Sequence, residues 1–270
     1  MEEKEIIQAR KPTILKLGGS VVTIKEKVLT PNKMAITRLA GEIKRADVGS
    51  LVLVHGGGSF GHPVAKQYGI NEGYKDSSQI MGFSKTHQAM TILNKLVMEA
   101  LINHNIPAVE VQPSSFVVTK SGRIKKMGTR VIEKLIETGF VPVLYGDAVL
   151  DLDKGFAILS GDQTASSLAT QLAAERIIVG VDVDGLYLSD PKKDKTAKLV
   201  RNITLQELKN MQYEISETTV TDVTGGMLGK ISELIPTVEA GISVLIVNAS
   251  KSDNIYKALK RQEVVGTLIK

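Results

Sequence analysis

Two histidines bracket a glycine run in His55-Gly56-Gly57-Gly58-Ser59-Phe60-Gly61-His62, directly after the apolar stretch Leu51-Val52-Leu53-Val54. Glycine lets a backbone approach an anion closely and turn its N–H groups toward it, and the start of a following helix adds more such groups. That chemistry suits a phosphate-bearing substrate, with the histidines as titratable donors at either end. The same glycines fit G-x-G-x-x-G at Gly56, Gly58 and Gly61, with Asp76 twenty residues after the first. A dinucleotide site needs that acid at the end of a second strand, yet Asp76 lies in the polar stretch 71–78. A tight strand-to-helix turn without a ligand is the plain alternative.

Four further places carry chemistry. Lys16-Leu17-Gly18-Gly19-Ser20 sets a lysine at the end of an apolar run before a glycine turn, and Lys25 follows nine residues later. At the carboxyl end of a parallel strand such a turn faces the ligand crevice, and a lysine there can neutralise phosphate charge during transfer. Asp182-Val183-Asp184-Gly185, with Tyr187, Pro191 and Lys192 behind it, offers paired acids that could orient lysines, accept ribose hydroxyls or hold magnesium. Asp-Gly is equally a common turn. In Asp222-Val223-Thr224-Gly225-Gly226-Met227-Leu228-Gly229-Lys230 the spacing from Gly225 to Gly229-Lys230 is one residue short of the G-x-x-x-x-G-K-[ST] phosphate loop, and Ile231 stands where Ser or Thr should be. It is no Walker A motif, though it can present amides and a lysine from a helix start. Ser160-Gly161-Asp162 either caps a helix or supplies a carboxylate to hold lysines.

The elements that must position these residues follow from short β-branched runs alternating with longer amphipathic segments, the pattern of a parallel sheet with crossover helices. Strands are expected over residues 13–17, 51–54, 108–112, 141–144, 176–181 and 244–247. Helices are expected over 32–46, 77–104, 128–137, 163–173, 204–211 and 227–240. Asp151-Leu152-Asp153-Lys154-Gly155 supplies turn chemistry for a hairpin over 148–159. On the helix 77–104, Phe83, Met90, Leu93 and Val97 recur at helical spacing, which ordinarily marks core.

Composition narrows the class. With 270 residues and 43% hydrophobic content, the chain can bury a sizeable core, and its mean hydropathy is near zero. No apolar run approaches the roughly eighteen residues of a membrane span. Residues 1–10 are charged and lack an apolar signal core, pointing away from secretion, and zero cysteines fit a reducing cytoplasm. A net charge of +5 raises nucleic acid as a partner, but lysines interspersed with 29 acids and an aromatic content of 4% favour anionic metabolites.

Taken in order, Lys16-Leu-Gly-Gly-Ser, His55-Gly-Gly-Gly, Ser160-Gly-Asp, Asp182-Val-Asp-Gly and the segment from Asp222 to Lys230 resemble the amino acid kinase superfamily over residues 11–270. The resemblance implies an α/β fold, a three-layer αβα sandwich on a central mostly parallel sheet, usually dimeric. Residues 12–160 would form the acceptor lobe and 161–270 the ATP lobe of one continuous sheet, with 1–11 an extension before the family pattern. Ser59-Phe60-Gly61-His62-Pro63, Gln112-Pro113-Ser114-Ser115-Phe116 and the strand end Val141 to Asp147 are similar to isopentenyl phosphate kinases within that superfamily. This implies ATP-dependent phosphorylation of isopentenyl phosphate to the diphosphate, in isoprenoid biosynthesis by the alternative mevalonate pathway, in the cytoplasm, with neither nucleic acid nor membrane as partner.

By the same resemblance Lys16, Lys25, His62, Asp162 and Lys230 are catalytic, and His55 is structural. Gly19, Ser20, Gly57, Gly58, Ser59, Gly61, His62, Tyr145, Gly146 and Gly161 meet the acceptor, with Thr86 and Met90 at its prenyl end. ATP is met by Lys16, Gly18, Gly19, Asp182, Asp184, Gly185, Tyr187, Pro191, Lys192, Gly225, Gly226, Met227 and Lys230. Mg2+ arrives with ATP and not on a protein metal site. Fosfomycin kinase shares the fold and histidine, and a non-catalytic nucleotide-binding module is the rival of another class.

Overall fold

The computed structural model describes residues 11–187, 194, 196–217 and 225–270, and of residues 212–217, 225–228 and 230 the backbone alone. In chain order the strands are β1 (Thr13–Leu17), β2 (Leu51–His55), β3 (Ala108–Glu110), β4 (Val117–Lys120), β5 (Arg123–Met127), β6 (Val141–Tyr145), β7 (Asp147–Asp151), β8 (Gly155–Leu159), β9 (Arg176–Val181), β10 (Leu186–Tyr187), β11 (Leu199–Val200), β12 (Asn202–Ile203), β13 (Ser243–Asn248) and β14 (Gly266–Ile269). The helices are α1 (Gly19–Val22), α2 (Lys33–Ala46), α3 (Gly58–Gln67), α4 (Ser78–Asn103), α5 (Arg130–Thr138), α6 (Gly161–Gln171), α7 (Leu205–Glu217), α8 (Gly225–Glu239) and α9 (Asn254–Leu259). Among the described residues no helix is long and apolar enough to cross a membrane.

Eight strands form one sheet in the order β12-β14-β13-β9-β1-β2-β6-β3. β13, β9, β1, β2, β6 and β3 run parallel, and β14 is antiparallel to β13. Strands buried on both faces read as continuous apolar runs, which is why these were legible. Alternate side chains nevertheless go to different layers. Leu15, Leu17, Leu51, Leu53, Val143 and Ile178 pack with α2, α4 and α9, whereas Ile14, Val52, Val54, Leu144, Ile177 and Val179 pack with α5, α6, α7 and α8. The result is the three-layer αβα sandwich.

A second sheet has the order β5-β4-β7-β8. Its β7–β8 pair is the expected hairpin, from Asp147↔Leu159 to Asp151↔Gly155. The β4–β5 hairpin was not anticipated from sequence. Only Ser121-Gly122 announces it, both with positive φ (50° and 79°), as a two-residue hairpin turn requires. The expected strand 108–112 stops at Glu110, because the chain turns into a short 3-10 helix at Pro113–Ser115. Residues 70–72 form another 3-10 turn and Ser78 opens α4, so the second strand that a dinucleotide site requires near Asp76 is absent here. Asp76 instead accepts from the backbone and hydroxyl of Ser78.

Candidate active site

The carboxyl ends of the central strands meet where the glycines lie. Gly18 donates its N–H to the Gly180 carbonyl at 2.8 Å, Gly56 to Leu17 at 2.9 Å and Gly146 to His55 at 3.0 Å. Gly19 and Gly58, in the same turns, have no room for a side chain. A Cβ on Gly19 would stand 2.2 Å from the Gly58 nitrogen, and one on Gly58, whose φ is +47°, would stand 2.1 Å from the Thr23 hydroxyl and 2.5 Å from the Gly19 carbonyl oxygen. The turns after β1 and β2 therefore pack backbone on backbone. α1, α3 and α6 all start at this edge, at Gly19, Gly58 and Gly161, and a helix leaves its first N–H groups without intrahelical partners. The arrangement is a set of amide donors able to hold phosphate oxygens.

Among the described residues one buried lysine stands near this edge. Lys16 is the fourth residue of β1, 2% exposed, and its Nζ lies 2.6 Å from Asp162 Oδ1 in the first turn of α6. Ser160 caps α6 by accepting from the Gln163 N–H at 3.0 Å, which fixes the helix start and so the carboxylate. Ser160, and not the acid, caps the helix, while Asp162 pairs with one lysine, Lys16. Ser20 donates to Asp182 Oδ1 at 3.1 Å, joining the turn after β1 to the loop after β9. Asp184 accepts from Lys251 at 2.7 Å and Asn248 at 3.0 Å. The Lys251 hydrogen bond holds the Asp184 carboxyl below its ordinary range, with Asn248 and Tyr187 adding to it against partial burial.

On the other side of the glycine turns stands α3. His62 is exposed in its second turn, while His55 is fully buried between Asn94 and Tyr145, as the family resemblance implied. Burial pushes the His55 imidazole below its usual range, so the neutral ring is favoured. Its Nδ1 lies 3.2 Å from the Gly56 carbonyl and its Nε2 3.1 Å from the Asn94 side-chain oxygen. Met90 lies under the turn: a Cβ on Gly57 or Gly61 would come within 2.8 or 3.0 Å of its Sδ.

The side chains of several expected contact residues have partners within the chain. Tyr145 is fully buried, stacked on His55 at 5.6 Å and donating to Glu110 at 2.8 Å, with burial first and Glu110 second raising its pKa. The Ser59 hydroxyl donates to the Thr30 carbonyl at 3.3 Å and its N–H to Thr23 at 3.0 Å, so the residue anchors loop 24–30. The Thr86 hydroxyl is turned back to the Gly82 carbonyl at 2.9 Å. Lys25 is exposed on loop 24–30 and makes no ion pair with Asp162. Gly146 and Gly161 pack against each other and the end of β2. Pro191 and Lys192 lie outside the described residues, as do the side chains of Met227 and Lys230; Gly225 and Gly226 open α8. Sequence reasoning missed Asn94, the His87–Asp147 pair (2.8 Å), Asn248 and Lys251, because each works through a partner 39 or more residues away.

Residues 11–248 match the model of the amino acid kinase family. An isopentenyl phosphate kinase of Methanothermobacter thermautotrophicus is 42% identical over 95% of this chain and 98% of its own. The chain belongs to the amino acid kinase family, among the isopentenyl phosphate kinases. A second relative in this group, from Methanocaldococcus jannaschii, is 37% identical over 95% of this chain and 98% of its own. A solved isopentenyl phosphate kinase structure superposes on this kinase with a TM-score of 0.85 at 39% identity, covering 96% of this chain and 99% of that one. ATP is accordingly the phosphoryl donor of this kinase.

Proposed function

We propose that this kinase moves the γ-phosphoryl group of ATP onto the phosphate of isopentenyl phosphate, giving isopentenyl diphosphate and ADP. The observation that carries the reading is the buried Lys16–Asp162 pair at 2.6 Å, set between amide-bearing helix starts with His62 on the adjoining helix. Phosphoryl transfer asks for positioning and neutralisation more than covalent help. Lys16 balances the charge that moves between the two substrates, and Asp162 keeps its ammonium in place. The amides of Gly19, Gly57 and Gly58 hold oxygens, and His62 donates to the acceptor phosphate. The attacking oxygen is already anionic, so no general base is needed.

The finer assignments rest on family resemblance. Residues 12–160 serve the acceptor and 161–270 the nucleotide, with Asp182 on the nucleotide side; Lys25 and Lys230 bring further positive charge to the transferred group. Mg2+ enters as part of the substrate, on the ATP phosphates. The kinase works in the cytoplasm as a homodimer. ADP release measured with isopentenyl phosphate, with fosfomycin and with no acceptor tests the reading. Acceptor-dependent release with isopentenyl phosphate is expected; release with fosfomycin alone, or ATP binding without acceptor-dependent release, refutes it.

A further inference from the structure

A nucleotide site lined by two carboxylates faces an electrostatic difficulty, since Asp182 and Asp184 would repel the phosphates of ATP. The structure answers it differently at each. Asp182 accepts from Ser20. Asp184 receives three donors: Asn248 at 3.0 Å, Lys251 at 2.7 Å and the Tyr187 hydroxyl. Asp184 thereby anchors the Lys251 ammonium, whose side chain is 57% exposed.

The backbone behind that lysine is unusually well tied. Ala249 donates its N–H to the Val181 carbonyl at 2.8 Å, which joins the loop after β13 to the end of β9. Arg38 of α2 donates to the Ala249 carbonyl at 2.5 Å and to the Lys251 carbonyl at 3.4 Å. The Ser250 N–H is bound by Asn248 Oδ1 at 2.9 Å, and Asn254 donates to the Asn248 carbonyl at 3.0 Å. A fixed loop carrying a long, exposed, singly paired cation at a ligand-bearing strand edge is a suitable holder for an anion.

We infer that Lys251 is a nucleotide-binding residue of this kinase, held ready by Asp184 and Asn248 to meet an anionic oxygen of the ATP phosphate chain. The inference rests on the kinase reading above, in which the loop 182–185 belongs to the nucleotide side. Binding sets Lys251 between carboxylate and phosphate, so that one cation neutralises both, and Asp184 keeps the ammonium oriented before ATP arrives. Nothing in the local sequence Asn248-Ala249-Ser250-Lys251-Ser252-Asp253 announces this. The role comes from β13 lying beside β9 in the sheet.

The test is calorimetric titration of ATP, ADP and adenosine into the full chain and its Lys251→Ala, Lys251→Arg and Asp184→Asn variants. Losing a hydrogen bond between charged partners should weaken ATP and ADP in Lys251→Ala by about tenfold or more, with adenosine unchanged. Lys251→Arg should recover most of the affinity, and Asp184→Asn should fall between it and Lys251→Ala. Equal ATP affinity in wild type and Lys251→Ala, or an equal loss for ATP and adenosine, overturns the role. ADP release with isopentenyl phosphate is measured on the same samples. Wild type that binds ATP without acceptor-dependent release refutes the kinase reading while the ATP and adenosine comparison still decides Lys251.

Discussion

Asp162→Asn removes one negative charge and almost no volume from the buried Lys16 pair, so its effect isolates the electrostatics of the site. At 2.6 Å the pair attracts by about 6 kcal/mol for an effective dielectric near 20, before desolvation is counted. Removing one partner of such a pair typically costs about 3–5 kcal/mol, because the remaining charge stays buried without compensation. Lys16 is 2% exposed and Asp162 12%, while the asparagine oxygen can still accept, so the low end, about 3 kcal/mol, is expected. In a chain of this size that corresponds to roughly 6–12 °C in Tm. Urea unfolding at neutral pH measures the loss, and initial rates measure turnover, which should fall by about a hundredfold or more as the lysine loses its orientation. The double variant Lys16→Met with Asp162→Leu should recover much of the stability and none of the activity, since an apolar pair leaves no buried charge. Asp162→Asn with wild-type stability and turnover would refute the argument.

Three other outcomes are expected. His62→Ala should reduce kcat by about a hundredfold while leaving ATP affinity, measured by titration, largely unchanged. Met90→Ala removes the Sδ packed against Gly57 and Gly61 and should let longer prenyl phosphates compete with isopentenyl phosphate; an unchanged chain-length preference in steady-state assays counts against it. For Asp151, burial alone would raise the pKa, but N–H groups of Ser121, Gly122, Asp153 and Lys154 hold it well below the ordinary carboxylate range. A folded-state pKa below the unfolded value of about 4 gives stability that is complete above that pH and is lost as pH falls toward the folded value. Asp151→Asn should therefore lower stability at pH 7 and flatten its decline between about pH 4 and pH 2 in denaturant titrations.

Much of the scaffold was legible in the chain. β1 and β9 begin and end where the apolar runs do, α2 differs from expectation by one residue at its start and α4 by one residue at each end. These elements have strong local signals: continuous β-branched runs, the Asn32 cap, long amphipathic repeats. The β4–β5 hairpin lacked such a signal, because Arg123, Lys125 and Lys126 are exposed and hide the alternation. Tyr145, Ser59 and Thr86 sit close in sequence to the glycine turns or on the expected lining helix, but the partners their side chains hold within the chain were not legible there.

The sequence by itself determined that lysine, histidine, aspartate and glycine stand at the ends of strands and the starts of helices, which is enough to state the family and the class of chemistry. It did so because strand alternation, helix capping and glycine turns act within a few residues. Which of those groups touch was decided by the tertiary structure. Ser20 and Asp182 are 162 residues apart, and Asn248 and Asp184 are 64 apart. They meet because β9 lies between β1 and β13, an order set by packing the whole sheet between its two helical layers.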